Sequence, residues 1–388
     1  MSAEQAEIPY AGSTVIGLDA THFAAIQRTV QLLFALAHSP SYQASLTGDT
    51  VALREPGNFG VFMGYDFHVT PEGPRLIEVN TNAGGALLNG LHTAALCDPE
   101  KLACVCSQLL SVDALEGDIV ETFRAEFAAV RGAGAHLARV AIVDDAPAQQ
   151  FLAPEFALFR ELFARAGIEA RIADTRELSA APGGGVALGD WRPDLVYLRD
   201  TDFALAGERT RVLRDAYLAG SVVVTPSPRE HFLLADKRRL ALFSSRERLL
   251  ALGVAEEDAR FLGEVIPETR LLAEMEPERA WSERAQWVFK PAAAFGSRAV
   301  YRGDKISRKK FAEISAQPGY VAQRFALPGS VHVQTLEGPR EMKFDVRAYA
   351  YRDRVLLLGA RVYEGQVTNL RSPGGGFSAI CVVRSGEC

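Results

Sequence analysis

Gly64-Tyr65-Asp66-Phe67-His68-Val69-Thr70-Pro71-Glu72-Gly73-Pro74-Arg75-Leu76-Ile77-Glu78-Val79-Asn80 reads as two strands around a turn. The runs Val61 to Val69 and Arg75 to Asn80 flank Thr70-Pro71-Glu72-Gly73-Pro74, which predicts a β-hairpin. Side chains two apart on a strand share a face, so Glu78 and Asn80 lie together and the hairpin can set Asp66 opposite them. Two carboxylates and an amide oxygen make a hard oxygen site that suits Mg²⁺ bridged to nucleotide phosphates. A solvated hairpin face has the same composition, and the hairpin alone leaves both readings open.

Upstream of the hairpin, the apolar spacing of Phe23, Ile26, Val30, Leu33 and Phe34 predicts an amphipathic helix over 22–38. Downstream, the glycine-bearing loop Asn82-Ala83-Gly84-Gly85 leads into mainly helical sequence to about residue 130. Arg139 to Val143, a helix over 153–166 and Glu169 to Ile172 form a β-α-β unit of an open parallel sheet. Pro193 to Leu198 and Ser221 to Val224 continue that strand pattern, with a helix over 207–218 between them. A dinucleotide site needs a glycine fingerprint after the first strand, and Asp144-Asp145-Ala146-Pro147 stands there instead. From about Ala235 the pattern gives a helix over 236–252, then strands around Trp287–Phe289, Ala299–Tyr301 and Tyr320–Phe325. Lys343–Tyr351 and Val355–Tyr363 close a hairpin through Arg352-Asp353-Arg354.

Bulk composition narrows the function classes. The chain has 388 residues, enough for two or three packed units, with 48% apolar and 23% charged residues. A net charge of -6 without a basic block argues against a nucleic-acid partner. No apolar run reaches membrane-spanning length and the N-terminus carries no secretory pattern, so a soluble cytoplasmic protein without a membrane partner is expected. The five cysteines, an odd count without a regular framework, suggest reduced thiols.

Two further constellations carry chemistry. Phe289-Lys290-Pro291 ends a strand and enters Ala292-Ala293-Ala294-Phe295-Gly296-Ser297, a loop whose small residues let backbone N–H groups approach phosphates beside the Lys290 charge. A plain hairpin with a surface lysine is the alternative. Lys237, after Ala235-Asp236, is a second phosphate candidate or a surface lysine. Arg347 shares a strand face with Asp345, and Arg361 lies on the paired strand. The two arginines can clamp a carboxylate or an acyl phosphate in bidentate fashion, or form a salt-bridged sheet surface. Asn369 follows, and Gly374-Gly375-Gly376 allows close backbone approach to a ligand.

Taken in order, these motifs resemble the ATP-grasp enzymes. Gly64-Tyr65-Asp66 with Leu76-Ile77-Glu78-Val79-Asn80-Thr81 is similar to the family's metal-binding strands, and Phe289-Lys290-Pro291 with Gly296-Ser297 to its lid strand and phosphate loop. Val321-Ala322-Gln323-Arg324-Phe325 resembles the hinge whose backbone holds adenine. Asp236-Lys237 resembles the entry lysine of the ATP-grasp domain. Asp345-Val346-Arg347, Arg361 and Asn369 resemble its substrate and phosphate strands. The metal strands come first here, a circularly permuted order similar to that of eukaryotic glutathione synthetase and glutathionylspermidine synthetase. Leu195-Val196-Tyr197-Leu198-Arg199-Asp200 resembles the glutathione synthetase segment whose arginine meets substrate, and Gly374 to Ile380 its C-terminal glycine-rich loop. Two departures stand out. The metal-binding glutamate after Lys-Pro is replaced by Ala292-Ala293-Ala294, and substrate-contacting serines by Ala83 and Gly85, which counts against a glutathione precursor.

The resemblance implies an α/β (α+β) fold: a circularly permuted ATP-grasp catalytic domain with an inserted Rossmann-like parallel-sheet domain. The expected parts are 1–135 with the metal strands, 136–235 as the substrate domain, 236–325 as the lid and nucleotide subdomain, and 326–388 as the rest of the catalytic domain. It implies an ATP-dependent carboxylate–amine ligase working through an acyl phosphate on a small-molecule acid and amine, an amino acid or short peptide by default. ATP and Mg²⁺ are its expected cofactors. Asp66, Glu78 and Asn80 would bind metal. Lys237, Lys290, Gly296, Ser297, Gln323, Arg324, Phe325, Asn369, Gly374 and Gly375 would bind nucleotide, and Arg199, Arg347 and Arg361 would position the acid. A non-catalytic ATP-binding regulatory protein and a phosphotransferase are the rival readings, and a homodimer is the default assembly.

Overall fold

The structure, a computed structural model, describes residues 11–96, 112–292, 299–335, 338–365, 370 and 373–383. The chain lays down β1 (Ala11–Asp19), passes through the helix Ala20–Ala37, and forms the hairpin of β2 (Met63–Thr70) and β3 (Gly73–Asn80). After the helices Ala86–Leu96 and Val112–Arg131 come β4 (Arg139–Asp144), β5 (Glu169–Asp174), the short ribbon β6 (Ser179–Ala180) and β7 (Val186–Ala187), then β8 (Leu195–Leu198) and β9 (Val223–Thr225). A third group follows: β10 (Thr269–Leu271), β11 (Trp287–Pro291), β12 (Tyr301–Arg302) and β13 (Tyr320–Arg324). The chain ends with β14 (Gly329–Thr335), β15 (Gly338–Tyr351), β16 (Arg354–Tyr363) and β17 (Gly376–Val383).

Three main sheets result. The largest has seven strands in the order β1-β17-β16-β15-β2-β3, with β14 paired to β15, so the first and last described strands pair in one sheet. The second is parallel, in the order β5-β4-β8-β9, and the third is antiparallel, in the order β10-β13-β11-β12. The chain leaves the large sheet after β3 and returns to it at β14. The boundaries expected at 135, 235 and 325 fall just before β4, between β9 and β10, and just after β13.

Burial of apolar faces explains the layering. Phe23, Ile26, Val30 and Leu33 of the first helix pack with Tyr65, Phe67 and Val346 under the large sheet. Each such side chain contributes about 1.5–3 kcal/mol when fully buried. A second core, with Phe62, Phe123, Phe159 and Tyr197, joins the hairpin, the helix Val112–Arg131 and the parallel sheet. The third sheet keeps a small core of its own around Leu272, Trp287, Phe289 and Phe311.

Several expectations need correction. The single helix expected over 236–252 is two short helices, Arg239–Phe243 and Arg246–Ala251, which follow a wide turn at His231–Ala235. Ser244 ends the first of these, and the Ser245 hydroxyl accepts the Arg248 N–H at 3.4 Å, starting the second helix afresh. β1, β10, β14 and β17 were not anticipated, and Gly376 opens β17 rather than extending a loop. Cys381 on β17 is disulfide-bonded, against the expectation of reduced thiols, because an odd cysteine count does not forbid a pair. Among the described residues no helix is long and apolar enough to cross a membrane.

Candidate active site

Strand register brings distant residues together. Asp66 on β2 faces Glu78 on β3 and, on its other side, Arg347 on β15. Asp345 on β15 faces Arg361 on β16. A cavity of about 860 Å³ opens over this part of the large sheet, between it, the parallel sheet and the third sheet. Glu78, Asn80, Lys237, Lys290, Gln323, Arg199, Arg347 and Arg361 all line it.

At the hairpin, the Asn80 side-chain NH₂ donates to Asp66 Oδ2 at 3.0 Å and to Glu78 Oε1 at 3.1 Å. The three residues expected to hold metal are therefore in contact, but they are not equivalent. Arg347 donates to both oxygens of Asp66, at 2.6 and 2.7 Å, and Arg361 to Oδ2 at 2.8 Å. Asp66 is fully buried and does not line the cavity. Burial pushes its carboxyl up, yet the two guanidinium charges and their hydrogen bonds more than reverse this and hold it at about 2. Its oxygens are committed to arginines because the neighbouring strand, far away in sequence, places Arg347 directly across.

Glu78 and Asn80 face the cavity. Burial raises the Glu78 carboxyl, and the Lys237 charge, with Nζ at 3.7 Å, brings it below its ordinary value. A magnesium ion keeps several waters and takes only one or two carboxylates from protein beside phosphate oxygens. Glu78 and the Asn80 amide oxygen on the cavity wall fit that requirement. Lys290 Nζ donates to the Ile77 carbonyl at 3.0 Å and to Gln323 Oε1 at 2.8 Å, so it is aimed along β3. Burial lowers Lys290 to about 8, with Glu78 opposing the shift and Lys237 adding to it.

The arginine end is braced from behind. Arg361 Nε donates to Asp345 Oδ1 at 2.6 Å, so Arg347 and Arg361 are held as a pair by two buried carboxylates. Arg199, at the end of β8, donates to Tyr197 Oη at 2.9 Å and to Asn82 Oδ1, and lies 3.6 Å from Glu155.

Asp144 was not singled out by the sequence reading for any role. It ends β4, lines the cavity, and burial pushes its carboxyl up to about 6, with the Asp145 N–H and Arg199 opposing. The signal was available: ligands in open parallel sheets bind outside the carboxyl ends of the strands. Gln323 was expected through hinge backbone, but its buried side chain bridges Lys290 and Thr269.

Other expected residues are placed differently. Arg324 and Phe325 line the cavity, but their N–H groups donate to Glu268 and Gln286 carbonyls at 2.8 and 2.9 Å. Gly374 sits against Thr335, Met342 and Val333, and neither it nor Gly375 lines the cavity. They lie just before β17, which brings Phe377 to the wall instead. Gly296, Ser297 and Asn369 lie outside the described residues.

No protein-family model and no curated protein matches the chain. Among solved structures, 65 chains match. A candidate gamma-glutamylcysteine synthetase from Methylobacillus flagellatus KT matches with a TM-score of 0.48 and 13% identity, over 91% of this chain and 85% of that one. The D-cycloserine synthetase DcsG matches with a TM-score of 0.32 and 14% identity, over 63% and 92%. The ATP-grasp ligase PsnB, complexed with a phosphomimetic variant of its minimal precursor, Mg and ADP, matches with a TM-score of 0.28 and 20% identity, over 58% and 89%. At these values the functional reading rests on the geometry of the cavity.

Proposed function

We propose that the chain is an ATP-dependent carboxylate–amine ligase of the ATP-grasp kind, acting on a small acid and an amine. One observation carries the reading: Lys290, a Glu-x-Asn pair and three arginines from or beside three sheets, with Lys237 from the turn after His231–Ala235, converge on a single cavity. In this reading the segment order is a circular permutation, with the parallel sheet as substrate domain and the sheet β10–β13 as lid.

Lys237 and Lys290 neutralise the phosphates of ATP. Glu78 and Asn80 would hold Mg²⁺, which when bound would neutralise phosphate charge. A carboxylate oxygen of the acid attacks the γ-phosphorus, the bond to the bridging oxygen breaks, and ADP leaves. The amine nitrogen then attacks the acyl carbon, phosphate departs with its bridging oxygen, and the nitrogen loses a proton to give the amide. Arg199 and the Arg347–Arg361 pair orient the acid and stabilise the oxyanion, so positioning and fixed charge do most of the work. Asp66 serves by anchoring two arginines, because its oxygens are already engaged.

Glu78→Gln tests the metal assignment. The substitution keeps side-chain size, so folding is expected to be intact while turnover falls by at least roughly 100-fold. Full activity in the variant would remove Glu78 from the metal site.

A further inference from the structure

Glu155 belongs to the helix Ala153–Arg165, yet its side chain serves a different element. It is 1% exposed, and its carboxylate accepts the backbone N–H groups of Gly85 at 2.9 Å, Leu87 at 3.1 Å and Leu88. Leu87 and Leu88 lie in the first turn of the helix Ala86–Leu96 and Gly85 immediately precedes it, so these N–H groups have no acceptor within that helix. A carboxylate from elsewhere in the chain thus caps it, with favourable sign at a helix N-terminus. The same Oε2 that accepts Gly85 N–H lies 3.6 Å from Arg199 Nη2.

The Asn82–Gly85 loop is fastened on its other sides too. Tyr349 Oη donates to the Gly84 carbonyl at 3.0 Å, Asn89 donates to the Gly85 carbonyl at 2.8 Å, and Asn82 accepts from Arg199. A Cβ on Gly84 would come within 2.9 Å of Arg199 Nη2 and 2.1 Å of Leu152 Cδ1, so the loop backbone lies directly on the guanidinium. This loop begins two residues after Asn80, while Arg199 ends a strand of the parallel sheet. Glu155 is the charged group that touches both.

We propose that Glu155 is a positioning residue that holds Arg199 against the Asn82–Gly85 loop, fixing the acid-binding arginine relative to the phosphate end of the cavity. The inference rests on the ligase reading for what that spacing does. With the arginine fixed, the acid oxygen meets the γ-phosphorus without a search over side-chain conformations. With Glu155 neutralised, the loop and Arg199 lose their common anchor while Glu78, Asn80 and both lysines stay in place.

The test compares the full chain with Glu155→Gln and Gly84→Ala, using arginine guanidinium NMR signals assigned through Arg199→Lys. Glu155→Gln is expected to broaden or shift the Arg199 signal and leave those of Arg347 and Arg361 unchanged. Amide exchange over Gly85–Leu88 should quicken at least about 10-fold. Mg–AMPPNP affinity should stay within about twofold, while ADP release with an equimolar pool of the twenty L-amino acids falls about 10-fold or more. Gly84→Ala should disturb the Arg199 signal and the rate in the same way with Glu155 intact. An unchanged Arg199 signal and loop exchange in Glu155→Gln would overturn the proposal. So would equal disturbance of all three arginines, which marks a general structural role. A wild-type chain that binds no Mg–AMPPNP would overturn the ligase reading instead, leaving the arginine signals to decide the placement of Arg199.

Discussion

Lys290 shows how one side chain can be poised by its surroundings. Two acceptors, the Ile77 carbonyl and Gln323 Oε1, fix its direction, while burial lowers it to about 8. Phosphate favours the charged amine, so binding above that pH must take up a proton. Mg–AMPPNP affinity is therefore expected to be flat below about pH 8 and to fall with increasing pH above it, up to roughly tenfold per unit. Calorimetry from pH 6.5 to 9.5 checks this, and Lys290→Met should bind weakly and lose the bend. The residue scale also shows the limit of reading a hairpin alone. The pairing of Glu78 with Asn80 follows from strand alternation. The commitment of Asp66 to Arg347 and Arg361 does not, because those arginines arrive from strands almost 300 residues away.

At the scale of elements, β2, β15 and β16 are joined by buried charges as well as by backbone pairing. Asp66 and Asp345 are both fully buried, and Arg361 bonds to each. Removing one member of such a network leaves uncompensated charge in a low-dielectric interior. Arg361→Ala is expected to destabilise the chain by roughly 3–5 kcal/mol, read from the shift of its urea unfolding midpoint. A change below about 1 kcal/mol would mean that water reaches these carboxylates.

The elements legible in the sequence were those with strong local signals: the first hairpin, the β-α-β unit, the strands β11, β12 and β13 of the third sheet and the hairpin through Arg352. Those missed had weak local signals. β1 is diluted by Ala11, Gly12 and Ser13, and it pairs in parallel with β17 at the other end of the chain. The helix expected over 236–252 carries apolar residues on both sides of the break, and the capping hydroxyl of Ser245 marks where it restarts. Glu155 is illegible for a similar reason, since its partners, the loop before the helix Ala86–Leu96 and Arg199, come from other elements.

For the whole molecule, the arrangement of three sheets matters more than any one motif. The first and last described strands both belong to the large sheet, and the two smaller sheets, laid down between β3 and β14, both contribute residues to the cavity. Glu78, Asn80, Arg347 and Arg361 belong to the large sheet, Lys290 to the sheet β10–β13, and Arg199 follows β8 of the parallel sheet, so a ligand touching all of them would bridge the three sheets. In the proposed reading, such bridging is the physical basis for a reaction requiring nucleotide, acid and amine together. The most direct test is ADP release from Mg–ATP across a panel of amino acids, short peptides and polyamines, with mass detection of the products. The account predicts ADP only with a particular acid–amine pair, together with their condensed amide. A stable phosphorylated product formed without any amine would contradict it.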